Sequence, residues 1–223
     1  MDFKLILILV TIMLTSVTAL YIYSRYSEGV VQKSYLLLIT TFIVWAVIRV
    51  VVYTTQDAGI ALIFERSAYI VGILIAWAFF NFAYQFAYRA PRISTAYVRA
   101  LALLSLIPVM QSFTNYFIRK AFLGSSGAFF DISFPLLVLY DVVFIMVFGY
   151  AFHLLVQKFF ESSGETRVSL RYVVISTLIA VAGGFTVNLF HPLLGEFRYQ
   201  VLGPSFTIFF TLAVAYLIIR SRK

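Results

Sequence analysis

The sequence predicts an all-α, polytopic membrane protein: a bundle of seven transmembrane helices with its N-terminus outside and its C-terminus in the cytoplasm. Three observations carry that expectation. Hydrophobic residues fill 62% of the 223 positions and charged residues only 12%, whereas a soluble domain is roughly half apolar and a quarter charged. The apolar residues gather into seven runs, each near the ~20 residues that cross a bilayer core. Lysine and arginine collect in alternate connections between the runs, the asymmetry that sets orientation. These connections are too short to hold a second unit, so 1–223 reads as a single transmembrane domain.

The first span, about 4–23, begins at Lys4 and passes Val17-Thr18-Ala19, a small-residue pattern like a signal-peptide cleavage site. Apolar character continues to Tyr23, and cleavage would turn the basic connections outward, so an uncleaved helix is expected. The second span, about 35–54, carries Arg49. The third, about 67–88, has Gly72 and Ala76 as small contact positions and ends with Asn81, Tyr84, Gln85 and Tyr88. Its amides are read as interhelical hydrogen-bond groups. The fourth, about 99–118, contains Pro108, and the fifth, about 135–157, contains Asp141. In the sixth, about 171–190, Ser176, Ala180 and Gly184 recur every fourth residue, a face that allows close helix packing. The seventh, about 202–220, ends in Arg220-Ser221-Arg222-Lys223. Tyrosines near span ends, among them Tyr23, Tyr53, Tyr69, Tyr97, Tyr172 and Tyr199, mark headgroup level.

Placing the N-terminus outside puts Arg25, Lys33, Arg89, Arg92, Arg99, Lys158, Arg167, Arg171, Arg220, Arg222 and Lys223 on the cytoplasmic side. Only Lys4, Arg66, Arg119, Lys120 and Arg198 then lie outside. The net charge of +8 is therefore read as topological, with the lipid bilayer and not nucleic acid as the partner.

Ionisable groups inside hydrocarbon cost roughly 2.5–3.5 kcal/mol on insertion scales, which singles out Arg49 and Asp141. Counted from their span ends at about 1.5 Å per residue, both fall in one outer-leaflet layer. Two expectations follow: an Arg49–Asp141 pair, or two independent groups, with Arg49 snorkelling outward and Asp141 reaching interfacial water. Glu65, Arg66, Tyr69, Asp131, Tyr140, Asn188 and His191 fall near the same layer. Together with Arg49 and Asp141 they are the candidates to line a small-molecule or ion pocket, or else ordinary interface polarity.

Catalysis is not expected. Cysteine is absent, and His153 and His191 fall on opposite sides of the membrane, so no metal site is expected. Asp141 is the one acid placed mid-span, which excludes an aspartate dyad. No G-x-S-x-G elbow or Walker loop occurs, and the last span has no lysine for a retinal Schiff base. No cofactor is implied.

Two segments carry a family likeness. The third span closes on Asn81-Phe82-Ala83-Tyr84-Gln85-Phe86-Ala87-Tyr88-Arg89-Ala90-Pro91. The seventh opens on Leu202-Gly203-Pro204-Ser205 and ends on Ala215-Tyr216-Leu217-Ile218-Ile219-Arg220. Both resemble the seven-helix N-terminal sensor region of prokaryotic membrane histidine kinases. That resemblance implies a sensory input module in the inner membrane, with Gly203, Pro204, Tyr216 and Arg220 on the output helix. A small-molecule ligand, a homodimer or a separate cytoplasmic transducer would be its partners. It implies either an input domain excised from a kinase or a free-standing protein. A transporter or channel subunit, or an accessory assembly protein, are the alternatives.

Overall fold

A computed structural model describes residues 2–26, 28–87, 94–124 and 127–220. Tyr88, Arg89, Pro91, Arg92, Arg222 and Lys223, used above for topology and motif, lie outside the described residues.

Among the described residues, seven helical spans are long and apolar enough to cross a membrane. Their regular α-helical parts are α1 (Phe3–Tyr26), α2 (Val30–Thr54), α3 (Ala58–Ala87), α4 (Thr95–Ser112), α5 (Phe134–Glu161), α6 (Gly164–Phe185) and α7 (Thr207–Arg220), the sixth span covering Gly164–Leu193 and the seventh Gln200–Arg220. Two continue irregularly. The sixth span runs on from α6 through a π-helical turn, Thr186–Phe190, and a last α turn, His191–Leu193. The seventh opens with a 3-10 segment, Gln200–Phe206, ahead of α7. In hydrocarbon every backbone polar group needs an internal partner, so even the β-branched runs of α2 wind into helix.

Several boundaries differ from the sequence expectation, α2 starting at Val30 and α6 at Gly164 among them, and three differences have a visible reason. α3 starts at Ala58 and not near 67, because Asp57 Oδ1 accepts the free amides of Gly59 at 2.7 Å and Ile60 at 3.0 Å. Glu65 and Arg66 thereby move from an expected loop into a helix. α4 ends at Ser112 and not near 118, since Ser112 Oγ bonds the Pro108 carbonyl and Thr114 Oγ1 the Gln111 carbonyl, closing the last turn. The expected loop 119–134 holds an antiparallel hairpin, β1 (Ile118–Gly124) and β2 (Gly127–Ile132), an addition to the all-α plan. Arg66 fastens this hairpin by donating to Asn115 Oδ1 at 2.7 Å and the Ile118 carbonyl at 2.6 Å.

The helices form a ring: α2 packs on α3, α3 on α5, α5 on α6 and α6 on α7. α1 closes it against α2 and the seventh span, while α4 lies outside on α3 and α5. α3 can touch so many neighbours because Ala61, Ala68, Gly72, Ala76, Ala83 and Ala87 are small, buried and at helical spacing. The face that holds the N-terminus is tied together at its rim. Asp2 accepts bonds from the Tyr53 hydroxyl and the Lys4 amide, which hold its carboxyl below the usual carboxylate range. An aromatic cluster fixes the middle, where Phe210 of α7 meets Phe42, Phe79 and Phe82 edge to face and Phe79 stacks on Phe148 at 4.2 Å.

Gly72 of α3 makes room for a side chain of α5: a methyl there would overlap the Tyr140 hydroxyl. Gly149 of α5 has nothing within 4 Å of such a carbon. Gly72→Ala should therefore lower stability by about 1–3 kcal/mol. Gly149→Ala should leave it unchanged or raise it by up to about 1 kcal/mol. Unfolding in detergent, followed by circular dichroism, checks both.

Candidate functional site

At the centre of the half that holds the N-terminus sits a buried ion pair, Arg49 Nη1 to Glu65 Oε2 at 2.7 Å, with the side chains 5% and 0% exposed. The same Nη1 donates to Gln200 Oε1 at 3.1 Å. One guanidinium thus joins α2, α3 and the opening of the seventh span. Arg49 therefore follows neither expectation: its partner is Glu65 and not Asp141, and it is buried and not snorkelling outward. Arg49 lies five residues from the end of α2, Glu65 and Asp141 each seven residues into their helices, so all three share a layer. Depth does not choose between the two acids. Adjacency does: residues 55–57 alone connect α2 to α3, which puts Glu65 beside Arg49. Asp141 is buried on α5 with neither carboxylate oxygen hydrogen-bonded among the described residues.

Beside the pair lies a cavity of about 110 Å³, lined from α2, α3, α5, the sixth span and the seventh span. Its polar end presents Arg49, Tyr69, Tyr140 and Asn188; its walls include Phe42, Trp45, Phe79, Phe144, Phe148 and Phe210. Tyr69 is held edge-on between Tyr140 at 4.9 Å and Phe117 at 4.8 Å. Around this end Arg49 Nε, Glu65 Oε1, the Tyr69 hydroxyl, Asn188 Oδ1 and Gln200 Nε2 are buried without a hydrogen-bond partner among the described residues. Native interiors leave only a few such atoms unpaired per hundred residues, so five gathered at one end mark a polar site.

The irregular turns of the sixth and seventh spans meet at this wall. Asn188, in the π turn, donates from Nδ2 to the Gly184 carbonyl at 2.9 Å, and Gly203 of the 3-10 segment leaves its amide room, since a Cβ there would overlap it. Pro204 contributes its carbonyl to Thr207 Oγ1 at 2.7 Å. Of the expected small-residue face, Ser176 is buried, while Ala180 and Gly184 line the cavity. Gly184 has open space where a Cβ would stand; the tight approach belongs to its neighbour Gly183, against the Phe206 ring.

Three candidates stand elsewhere. Arg66 is engaged with the hairpin as described. His191 bonds Glu196 Oε2 at 3.2 Å and lies on the Tyr199 ring at 4.9 Å, outside the cavity wall. Asp131 of β2 faces Arg119 at 3.9 Å. At the far end of α7, Tyr216 is exposed and meets Tyr172, and Arg220 approaches Glu165 of α6 at 3.9 Å. Sequence reasoning missed Gln200, Trp45 and Phe210. Gln200 fell in an expected loop; its signal was a lone amide entering an apolar run. Among the described residues no cluster of three or more His, Asp or Glu stands ready for a metal ion.

Removing one member of a buried pair strands the other, at a cost of about 3–5 kcal/mol. Arg49→Met and Glu65→Leu should each lose that much, and the double variant far less than their sum. Additive losses in detergent unfolding would mean that the two residues are not coupled.

Comparison with known proteins agrees with this architecture. Residues 7–222 match the family described as the N-terminal 7TM region of histidine kinase. No curated protein and no solved structure matches the chain. A match over nearly the whole length, on a chain with seven membrane-capable helices, shows that this protein belongs to the family of N-terminal 7TM regions of histidine kinases.

Proposed function

We propose that this chain is a membrane sensory input module that reads a small ligand or membrane signal in the cavity beside Arg49 and Glu65 and relays it through the seventh span. On this reading the N-terminal face lies outside, the C-terminal end of α7 lies in the cytoplasm, and the protein sits in the inner membrane of a prokaryote. A second copy or a cytoplasmic output partner receives the signal near Arg220.

The observation that carries the reading is the 3-10 segment Gln200–Phe206, which touches the site twice, through Gln200 on Arg49 and Gly203 on Asn188. A 3-10 helix rises about 2.0 Å per residue and an α-helix about 1.5 Å. Winding all seven residues of the segment into α-helix shortens it by about 3.5 Å. That exceeds the 1–2 Å helix shifts common in switching proteins. An occupant that favours one winding over the other thus moves α7 along its axis, in proportion to its differential affinity for the two states.

Gly184→Leu fills the cavity from a position with open space above it. Nitroxides placed at residues 165 and 220 in nanodiscs should then change separation by more than about 1 Å relative to the parent in pulsed EPR. An unchanged distance, with the fold intact, contradicts the relay. Substrate flux in proteoliposomes would point to a transporter instead.

A further inference from the structure

We infer that the cavity selects an uncharged molecule whose enclosed part is about one ring or a short chain, with a carbonyl-type acceptor and an N–H or O–H donor side by side. The inference rests on the proposed role of the cavity as a ligand site and goes on to name the ligand's chemistry.

Size comes first. An apolar cavity of about 150 Å³ holds benzene, so a space of about 110 Å³ limits what is enclosed to roughly a single ring. The aromatic walls, Trp45 and Phe144 among them, suit a flat apolar body. The polar end sets the head group. Among the described residues, Arg49 Nε and the Tyr69 hydroxyl are donors without a partner, and Asn188 Oδ1 is an acceptor without one. A carbonyl beside an N–H or O–H satisfies both kinds.

Charge decides the rest. Arg49 is already neutralised by Glu65 at 2.7 Å, so the pair carries no net charge into the site. An anionic ligand would set two anions on one guanidinium, and a cationic ligand would meet no carboxylate on the cavity wall, since neither Glu65 nor Asp141 lines it. Each would be desolvated without a full counter-charge, a large penalty away from water. A neutral head group keeps all its hydrogen bonds and avoids that penalty.

Three probes of nearly equal shape isolate the charge: benzamide, benzoate and benzamidine. The chain has two tryptophans, so Trp77→Phe leaves Trp45, on the cavity wall, as the sole reporter. In nanodiscs, benzamide should change Trp45 fluorescence saturably and bind at least tenfold tighter than benzoate or benzamidine. Gly184→Leu should abolish the saturable part. Glu65→Gln should shift preference to benzoate and Arg49→Gln to benzamidine. If benzoate or benzamidine equals benzamide on the parent protein, the neutral-ligand inference is overturned while the cavity remains a binding site. If none of the three gives a saturable change, the inference also fails, and the spin-label distance across residues 165 and 220 judges the input reading separately.

Discussion

A guanidinium cannot stay in hydrocarbon without a counter-charge, and in this bundle that single requirement organises the half that holds the N-terminus. Arg49 takes Glu65 from α3 as its counter-ion and Gln200 from the seventh span as its second acceptor. Three spans are thereby held at one point by hydrogen bonds that lose strength quickly with distance. An apolar bundle lacks a hydrophobic force between its helices, so such polar contacts and close small-residue packing decide which helices meet. The packing half of the task falls to Gly72 beneath Tyr140 and to the small residues of α3.

The same point is where the proposed relay would begin. Its polar contacts reach the seventh span where that span is least regular, and the sixth span is irregular opposite it, through the turn that carries Asn188. Irregular helix at membrane depth persists where it is buried in protein or borders a cavity, and short 3-10 or π segments are frequent at functional positions. Further along, Phe210 is gripped by Phe42, Phe79 and Phe82, and the Tyr35 hydroxyl donates to the Thr211 carbonyl at 2.7 Å. On the proposed relay, a motion begun near Gln200 would pass through packed side chains and not through a slack linker.

Much of this was legible in the sequence because hydropathy in a membrane is nearly a direct record of depth. The seven spans follow from it, and so does the common layer of Arg49, Tyr69, Tyr140 and Asn188. Depth carries no information about which helix stands beside which: it offers Arg49 either Asp141 or no partner, although Glu65 stands at the same level. The missing clue was Asp57, whose side chain caps α3 and draws Glu65 into the helix. The hairpin over 118–132 escaped because its strands alternate weakly, with Arg119-Lys120 and Phe129-Phe130 as like neighbours. The Gly203-Pro204 pair was recognised as a likeness, and its physical reason appeared only with Asn188 packed against it. The small-residue spacing of α6 was visible too, yet spacing alone could not tell a helix seam from a cavity wall.

The claim on which the account turns is that Arg49 holds the third and seventh spans together through Glu65 and Gln200. Solid-state NMR on bilayer-embedded protein, with guanidinium nitrogens and side-chain carboxyl and amide carbons labelled, measures it directly. The account predicts dipolar coupling from Arg49 to the Glu65 carboxylate carbon and to the Gln200 amide carbon. Coupling of Arg49 to Asp141 in their place, or to neither, would contradict it.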